Sequence, residues 1–320
     1  MWSLAESTDE TMEMRRVFRE TLEEFMDTDP RIMVLEADLG TASGFAQIKD
    51  RHPERFLEMG ISEANMVGVA AGLSMRGFIP FLHSFSPFVS RRVADQIFLE
   101  GAYAGNTINV YGSDPGVCAA ANGGTHTTFE DIAFYRAVPG AMVFDPADGV
   151  QLRWLLRELL EQKGVHYIRA NRKNVPTIYR EGSSFELGKG NVIRPGKDVL
   201  LISMGILLKD ALDAAKELEK EGISVEVADM YCLKPLDEEL IRAEMRGKKA
   251  VVTFENHNVI NGLGSAVAAV MTGDGAGIPL RMIGAEDRFG QVGSLEFLKQ
   301  EFGLTKEHVV QVIRDLCSEK

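Results

Sequence analysis

The stretch Gly60-Ile-Ser-Glu-Ala-Asn-Met-Val-Gly-Val-Ala-Ala-Gly-Leu73 carries one carboxylate, Glu63, at the head of a helix that is otherwise apolar or small. An ionised carboxylate taken out of water demands a partner, so an acid in this position is costly unless it is used. Phe85 and Phe88 follow in the run Phe81-Leu-His-Ser-Phe-Ser-Pro-Phe88. A buried acid with a pair of aromatics is the set of groups that holds a flat heteroaromatic ring and gives it a proton. The plainer reading is that Ser62 caps the helix, Glu63 sits in its first turn where the dipole favours it, and the two phenylalanines are core.

A second constellation is Ala119-Ala-Ala-Asn-Gly-Gly-Thr-His-Thr-Thr-Phe-Glu-Asp131. Asn122-Gly123-Gly124 forces a turn, and His126 follows it at the start of the next helix. An imidazole there suits general acid–base work or a hydrogen bond to a hydroxylated substrate; the alternative is a surface histidine after a turn. Arg15, Arg16 and Arg19 on the first helix, with Arg169 and Arg172 after a strand, are candidates for anion recognition because guanidinium forks match phosphate geometry.

The elements that position these groups are legible as alternation. Short apolar runs predict strands at Arg31–Ala37, Gly77–Leu82, Thr107–Gly112, Ala141–Asp145 and Val165–Ala170, with helices near Thr11–Met26, Ser62–Arg76, Val89–Ala104 and Gly149–Gln162. Such alternation predicts a doubly wound α/β domain with a mainly parallel sheet, whose ligands lie beyond the carboxyl ends of the strands. Asp38, Ser84-Phe85, Ser113-Asp114 and Arg169 fall at or just past those ends. The pattern breaks in the Gly/Ser-rich stretch Glu181–Gly190. It resumes as a second, smaller α/β pattern: strands Asp198–Ser203, Ser224–Asp229, Lys249–Glu255 and Pro279–Ile283, helices Ile206–Glu221, Leu236–Met245 and Gly264–Met271. The expected division is a first domain over 1–185, a linker over 186–196 and a second domain over 197–320.

Composition narrows the function. The 320 residues are enough for two cores, and the formal net charge of −12 leaves no basic stripe for nucleic acid. Cys118, Cys232 and Cys317 form neither a Cys-x-x-Cys nor an even framework, so neither disulfides nor a zinc site are expected. Residues Met1–Arg19 lack the apolar core of a signal peptide, and no run approaches the ~20 residues of a membrane span. A cytoplasmic location is the resulting expectation.

Taken in order, these segments resemble the C-terminal half of a transketolase. Ala37-Asp-Leu39 resembles the family's Ala-Asp-Leu after its first pyrimidine-domain strand, and Ile61-Ser-Glu63 the start of the helix with its catalytic glutamate. Phe85 and Phe88 match the aromatic pair that stacks on the aminopyrimidine of thiamine diphosphate, and Gly124-Thr-His126 the substrate-facing histidine. Val165–Ala170 is similar to the strand whose arginine grips a sugar phosphate, and Arg15 to a second phosphate arginine. Phe254–Ser265 and Asp287-Arg-Phe-Gly290 resemble segments of the family's C-terminal domain.

The resemblance implies a set of roles. Glu63 and His126 would be catalytic. Asp38, Leu39, Glu63, Phe85, Phe88 and Arg91 would bind the cofactor; Arg15, Ser113, Asn122, His126 and Arg169 would bind a sugar phosphate or related anionic sugar. Glu63 would hydrogen-bond the aminopyrimidine and favour the tautomer that removes the thiazolium proton. Asn122 stands where the family often has an acid that reads hydroxyl stereochemistry, Ser113 where a second histidine often follows the central strand, and Ala42 nearest the place of a phosphate serine.

Gly273-Asp-Gly275 looks like the opening of the family's diphosphate-and-metal motif, but no asparagine follows Asn261 to complete it. The resemblance therefore implies the smaller subunit of a split transketolase. An N-terminal partner subunit would bind the diphosphate through Mg2+, the assembly would be α2β2, and this chain would be inactive alone. Two rival thiamine enzymes are a β-type subunit of a 2-oxoacid dehydrogenase, suggested by Asp95-Gln-Ile97, and a deoxyxylulose-phosphate-synthase-like enzyme. A non-catalytic binding subunit is the rival from another class.

Overall fold

The short apolar runs form strands that are buried along their whole length, on both faces, so the polar residues they carry, such as Glu36, His83, Asn109 and Arg169, are buried too. A computed structural model describes residues 1–318, in two compact units. The first unit comprises Met1–Pro115 and Phe134–Leu187. Its sheet runs in the order Met142–Phe144, Val165–Ala170, Ile108–Ser113, Ile79–Phe85, Ile32–Glu36, Phe56–Glu58, and every one of these pairings is parallel. The register sets Glu36 opposite His83, Phe85 opposite Ser113, and Ser113 opposite Ala170. Residues far apart in sequence thus share one carboxyl edge.

Helix Met14–Thr28 buries Val17, Phe18, Leu22, Phe25 and Met26, the stripe expected of a helix lying on a sheet. Helix Gly149–Leu159 is capped by Asp148, whose side chain accepts from the Gln151 N–H at 2.9 Å. Helix Glu63–Met75 buries Glu63, Met66, Val67, Ala70 and Ala71, so the acid is the first member of the apolar stripe. Glu63 does lie in the first turn, but Ser62 makes no side-chain cap there, so the capping half of the plainer reading does not hold.

Two expectations for this unit change. Thr11–Glu13 is not helical but pairs antiparallel with Asn174–Pro176. The helix expected over Val89–Ala104 is instead a 3₁₀ turn at Arg91–Val93, one α turn at Ala94–Gln96 and π-helical turns at Ile97–Tyr103. Asn106 explains the widened end: its side chain donates to the Glu100 carbonyl at 2.7 Å and its N–H to the Gly101 carbonyl at 2.9 Å.

The second unit comprises Gly116–Ala133 and Gly188–Lys320. Its five-stranded sheet has the order Leu280–Ala285, Ala250–Asn258, Val199–Ser203, Val225–Asp229, Asn191–Arg194. The first four are parallel; Asn191–Arg194 joins Val225–Asp229 antiparallel. Those four residues lie in the stretch read as linker, and their alternating burial is that of a half-covered edge strand. Helices Leu208–Glu219, Glu238–Glu244 and Leu263–Gly273 follow the predicted order, and Leu295–Glu301 and Lys306–Ser318 are additional.

Segment Gly116–Ala133 is held by this second unit. The Val117 N–H donates to Asn256 Oδ1 at 2.9 Å, and the Phe129 carbonyl accepts from the Asn258 N–H at 3.0 Å. Gly116 has φ +57°, and a Cβ there would lie 2.1 Å from Asn256 Oδ1, so only glycine fits. Among the described residues no helix is long and apolar enough to cross a membrane.

Candidate active site

Glu63 is 2% exposed, and its two oxygens are unlike each other. Oε1 accepts from Arg92 Nη1 at 2.6 Å and, weakly, from Ser84 Oγ at 3.4 Å. Oε2 is buried and has no hydrogen-bond partner among the described residues. A buried polar atom left in this state is rare and costs about 1–3 kcal/mol, which marks it as a place for a ligand group.

The aromatic pair lies beside it. Phe85 and Phe88 are edge to face, with centroids 6.1 Å apart and planes at 64°. Phe85 ends strand Ile79–Phe85 and is buried, while Phe88 is half-buried in the turn beyond. Each ring carries an arginine: Arg92 lies 4.1 Å over Phe88, and Arg172 lies 4.6 Å over Phe85. Arg172 is fixed by Asp114, whose carboxylate accepts from its N–H, Nε and Nη2 at 2.9, 2.7 and 2.6 Å. The acid with its unpartnered oxygen and the adjacent rings fit a flat ring that bonds through its edge and stacks through its face.

The neighbouring loop ends are tied together. Glu58 Oε1 accepts from the N–H groups of Asp38 and Gly60 at 2.7 and 3.0 Å, holding the turn after Ile32–Glu36 against the one that leads into Glu63. Asp38 adopts φ +58° at that turn; Leu39 beside it is half-buried. Beneath the strand ends lies a fully buried chain: Glu36 to His83 Nδ1 at 2.8 and 2.9 Å, then His83 Nε2 to Ser113 Oγ at 2.9 Å. Ser43 Oγ also donates to Glu36, at 2.6 Å. Phe45 and Tyr111 pack on His83. Tyr111 is fully enclosed, and burial pushes its hydroxyl well above the ordinary range.

The substrate candidates divide. Arg15 is half-exposed and donates to Glu13 at 2.7 Å and to the Ala42 carbonyl at 3.0 Å, at the mouth of the same loops. Asn122 is exposed and His126 half-buried, with Thr125 Oγ1 at 2.9 Å from the imidazole Nδ1. Both belong to the second unit. Two of the expected residues already have interior partners. Ser113 does not offer its hydroxyl outward, because His83 already holds it in the interior. Arg169 is fully buried with its guanidinium 2.5 Å from Asp145, so an internal carboxylate meets the charge that was expected to hold an anion. Arg91 is exposed; it is its neighbour Arg92 that reaches Glu63. Sequence reasoning missed Arg92, Glu58, Glu36 and His83.

Residues 10–177 match the model of the transketolase pyrimidine-binding domain, and residues 188–309 that of the transketolase C-terminal domain. The chain belongs to the transketolase family. It is 43% identical over 307 residues to the 6-deoxy-6-sulfo-D-fructose transketolase subunit SqwH of Clostridium sp. strain MSTE9, covering 96% of this chain and 95% of that subunit. Human transketolase is 33% identical over 308 residues, which are 95% of this chain but 49% of the human protein. Among solved structures, a split-gene transketolase in an inactive beta4 tetramer superposes with a TM-score of 0.87 at 38% identity, covering 95% of this chain and 97% of that one. Both α/β units are thus those of a transketolase, with the acid and the aromatic pair at the pyrimidine-binding one.

Proposed function

We propose that this chain is one subunit of a split, thiamine-diphosphate-dependent transketolase that moves a two-carbon ketol unit from an anionic ketose to an aldose. The observation that carries the reading is Glu63, a buried acid with one oxygen unpartnered beside Phe85 and Phe88. When bound, thiamine diphosphate supplies the nucleophilic carbon and the electron sink. Everything else falls to protein groups. Glu63 would bond the aminopyrimidine ring nitrogen and move a proton there, and Phe85 and Phe88 would stack on that ring. Asp38, Leu39 and Arg91 would line the approach. His126 would hydrogen-bond sugar oxygens and assist proton transfer, with Asn122 on a neighbouring hydroxyl.

Arg15 would hold the distal anion of the sugar. A guanidinium donates to sulfonate as well as to phosphate oxygens, and the relative named for 6-deoxy-6-sulfo-D-fructose brings a sulfonate among the candidate distal groups. The diphosphate and its Mg2+ would be held by a partner subunit, in an α2β2 assembly in the cytoplasm. The naming of that relative as a subunit and the human protein's twofold greater length support a divided enzyme.

The test is ketol transfer to ribose 5-phosphate in the presence of thiamine diphosphate and Mg2+. Xylulose 5-phosphate and 6-deoxy-6-sulfo-D-fructose are compared as donors, with and without a diphosphate-binding partner. Turnover in the mixture alone is expected. Turnover by this chain without a partner would refute the division, and carbon dioxide release from pyruvate by the mixture would favour a decarboxylating relative instead.

A further inference from the structure

Arg92 has no part in the scheme above, yet its side chain touches both of the central groups. Its Nη1 lies 2.6 Å from Glu63 Oε1 while its guanidinium carbon lies 4.1 Å over the Phe88 ring. The arginine side chain is 42% exposed and the glutamate 2%, so a solvent-borne arm inserts only its tip. A guanidinium is planar, donates hydrogen bonds in its plane and stacks on aromatic faces. An aminopyrimidine that bonds a carboxyl through its edge and stacks through its face makes the same two demands. From this coincidence we infer that Arg92 is a displaceable latch: bonded to Glu63 Oε1 and stacked on Phe88, it covers the ring that the aminopyrimidine would stack on while bonding Oε2, so that cofactor entry requires the arm to swing out. The inference rests on the cofactor reading and extends it to the control of the site.

Two contrasts support a latch over a fixed support. Among the described residues, Glu63 Oε1 has only Ser84 Oγ at 3.4 Å besides Arg92, so the arginine supplies the counter-charge that a buried carboxylate otherwise lacks. Leaving costs the arginine itself little, because the arm is half in water and bonded through one nitrogen, but it leaves the buried carboxylate uncompensated, so the arm goes out only when a ligand group takes its place at Glu63. Arg172 on the companion ring is the opposite case. It is 16% exposed and tied to Asp114 through backbone and side chain, the arrangement of an arginine that stays. Roles also conflict: the guanidinium needs Glu63 as an acceptor, whereas a ring nitrogen is itself an acceptor and needs the carboxyl to donate.

The experiment uses the full chain reconstituted with a diphosphate-binding partner. Equilibrium affinities are measured by calorimetry for thiamine diphosphate and for the neutral 4-amino-5-hydroxymethyl-2-methylpyrimidine, which lacks the diphosphate. This second probe removes the general attraction of an arginine for an anion. Arg92→Gln is expected to tighten the aminopyrimidine probe about tenfold, the worth of a lost competitor bonded through one charged contact. Arg92→Lys, which keeps the charge without the flat fork, falls between Gln and wild type. An unchanged or weaker affinity for the neutral probe in Arg92→Gln, with wild type still taking up thiamine diphosphate, overturns the latch and leaves the cofactor reading standing. No uptake of thiamine diphosphate by the wild-type complex removes both.

Discussion

At the scale of single residues, Glu63 combines two conditions that conflict in most proteins. It is as buried as a core leucine, yet it keeps an oxygen with no partner among the described residues. Removing the carboxyl should therefore hurt chemistry and spare the fold. Glu63→Gln is isosteric and keeps an acceptor for Arg92, so melting should shift little, while ketol transfer by the reconstituted enzyme falls about 10²–10⁴-fold, the typical loss for a proton-transfer group. Near-wild-type turnover in that variant would sink its assigned role. Glu63, Phe85 and Phe88 were readable in the sequence because a lone acid among small and apolar residues is a desolvation cost that packing by itself never requires. Arg92 was not, since Ser90-Arg-Arg92 offers two equivalent arginines and only the backbone turn Arg91–Val93 decides which one points at the acid. Arg169 and Ser113 were expected at the ligand, and their internal partners were not legible. Their types suit ligand binding, but the strands that carry them are enclosed on both faces.

At the scale of elements, the site is an edge property of a parallel sheet. Glu36, His83 and Ser113 come from three adjacent strands, and their contacts exist only because the register aligns those strands at their carboxyl ends. The serine–histidine–glutamate order resembles a nucleophilic triad in connectivity, but with all three fully buried it serves instead to lock the strand ends from which Asp38, Phe85 and Asp114 emerge. The strands read from sequence have small errors at their ends, and the short edge strands Phe56–Glu58 and Asn191–Arg194 were not read at all; the cross-strand register was not legible, because parallel pairing leaves no hairpin signal to fix it.

Sheet packing also explains Gly112, the last residue but one of strand Ile108–Ser113. A Cβ there would lie 2.5 Å from the Tyr167 hydroxyl and 2.6 Å from its ring. Tyr167 cannot easily yield, as it stacks on Tyr135 with centroids 4.0 Å apart and planes at 6°. Gly112→Ala should cost about 1–3 kcal/mol in chemical denaturation, the range for overpacking a core. Tyr167→Leu in the same chain should return part of that loss, and additive losses would show that the clash lies elsewhere.

At the scale of the whole molecule, the division into two α/β units was legible because the alternation of strands and helices stops and restarts around Glu181–Gly190. The grouping of Gly116–Ala133 with the second unit was not, because it depends on Asn256 and Asn258, more than a hundred residues away. Acid stability is a whole-molecule property to which one buried group, His166, contributes a separable share. This histidine lies inside the first unit's sheet, its Nδ1 2.8 Å from Asn109 Oδ1 and its Nε2 without a partner among the described residues. Burial pushes its pKa down from 6.5 to about 4. The unfolded chain thus takes up a proton near pH 6.5 that the folded unit refuses until about pH 4. Stability from this group is complete above pH 6.5, falls as the pH drops, and is lost once the pH passes below the folded value, a change of about 3 kcal/mol. Asp148 in the same unit acts in the other direction: burial raises its carboxyl, so its protonation on folding favours the folded unit as acid is added. A difference measurement separates the two. Urea denaturation followed by the fluorescence of Trp2 and Trp154, both in the first unit, should show wild type losing about 3 kcal/mol more than His166→Gln between pH 7 and pH 4. Parallel losses in the two proteins would mean that the imidazole is already protonated, or already hydrated, inside the sheet.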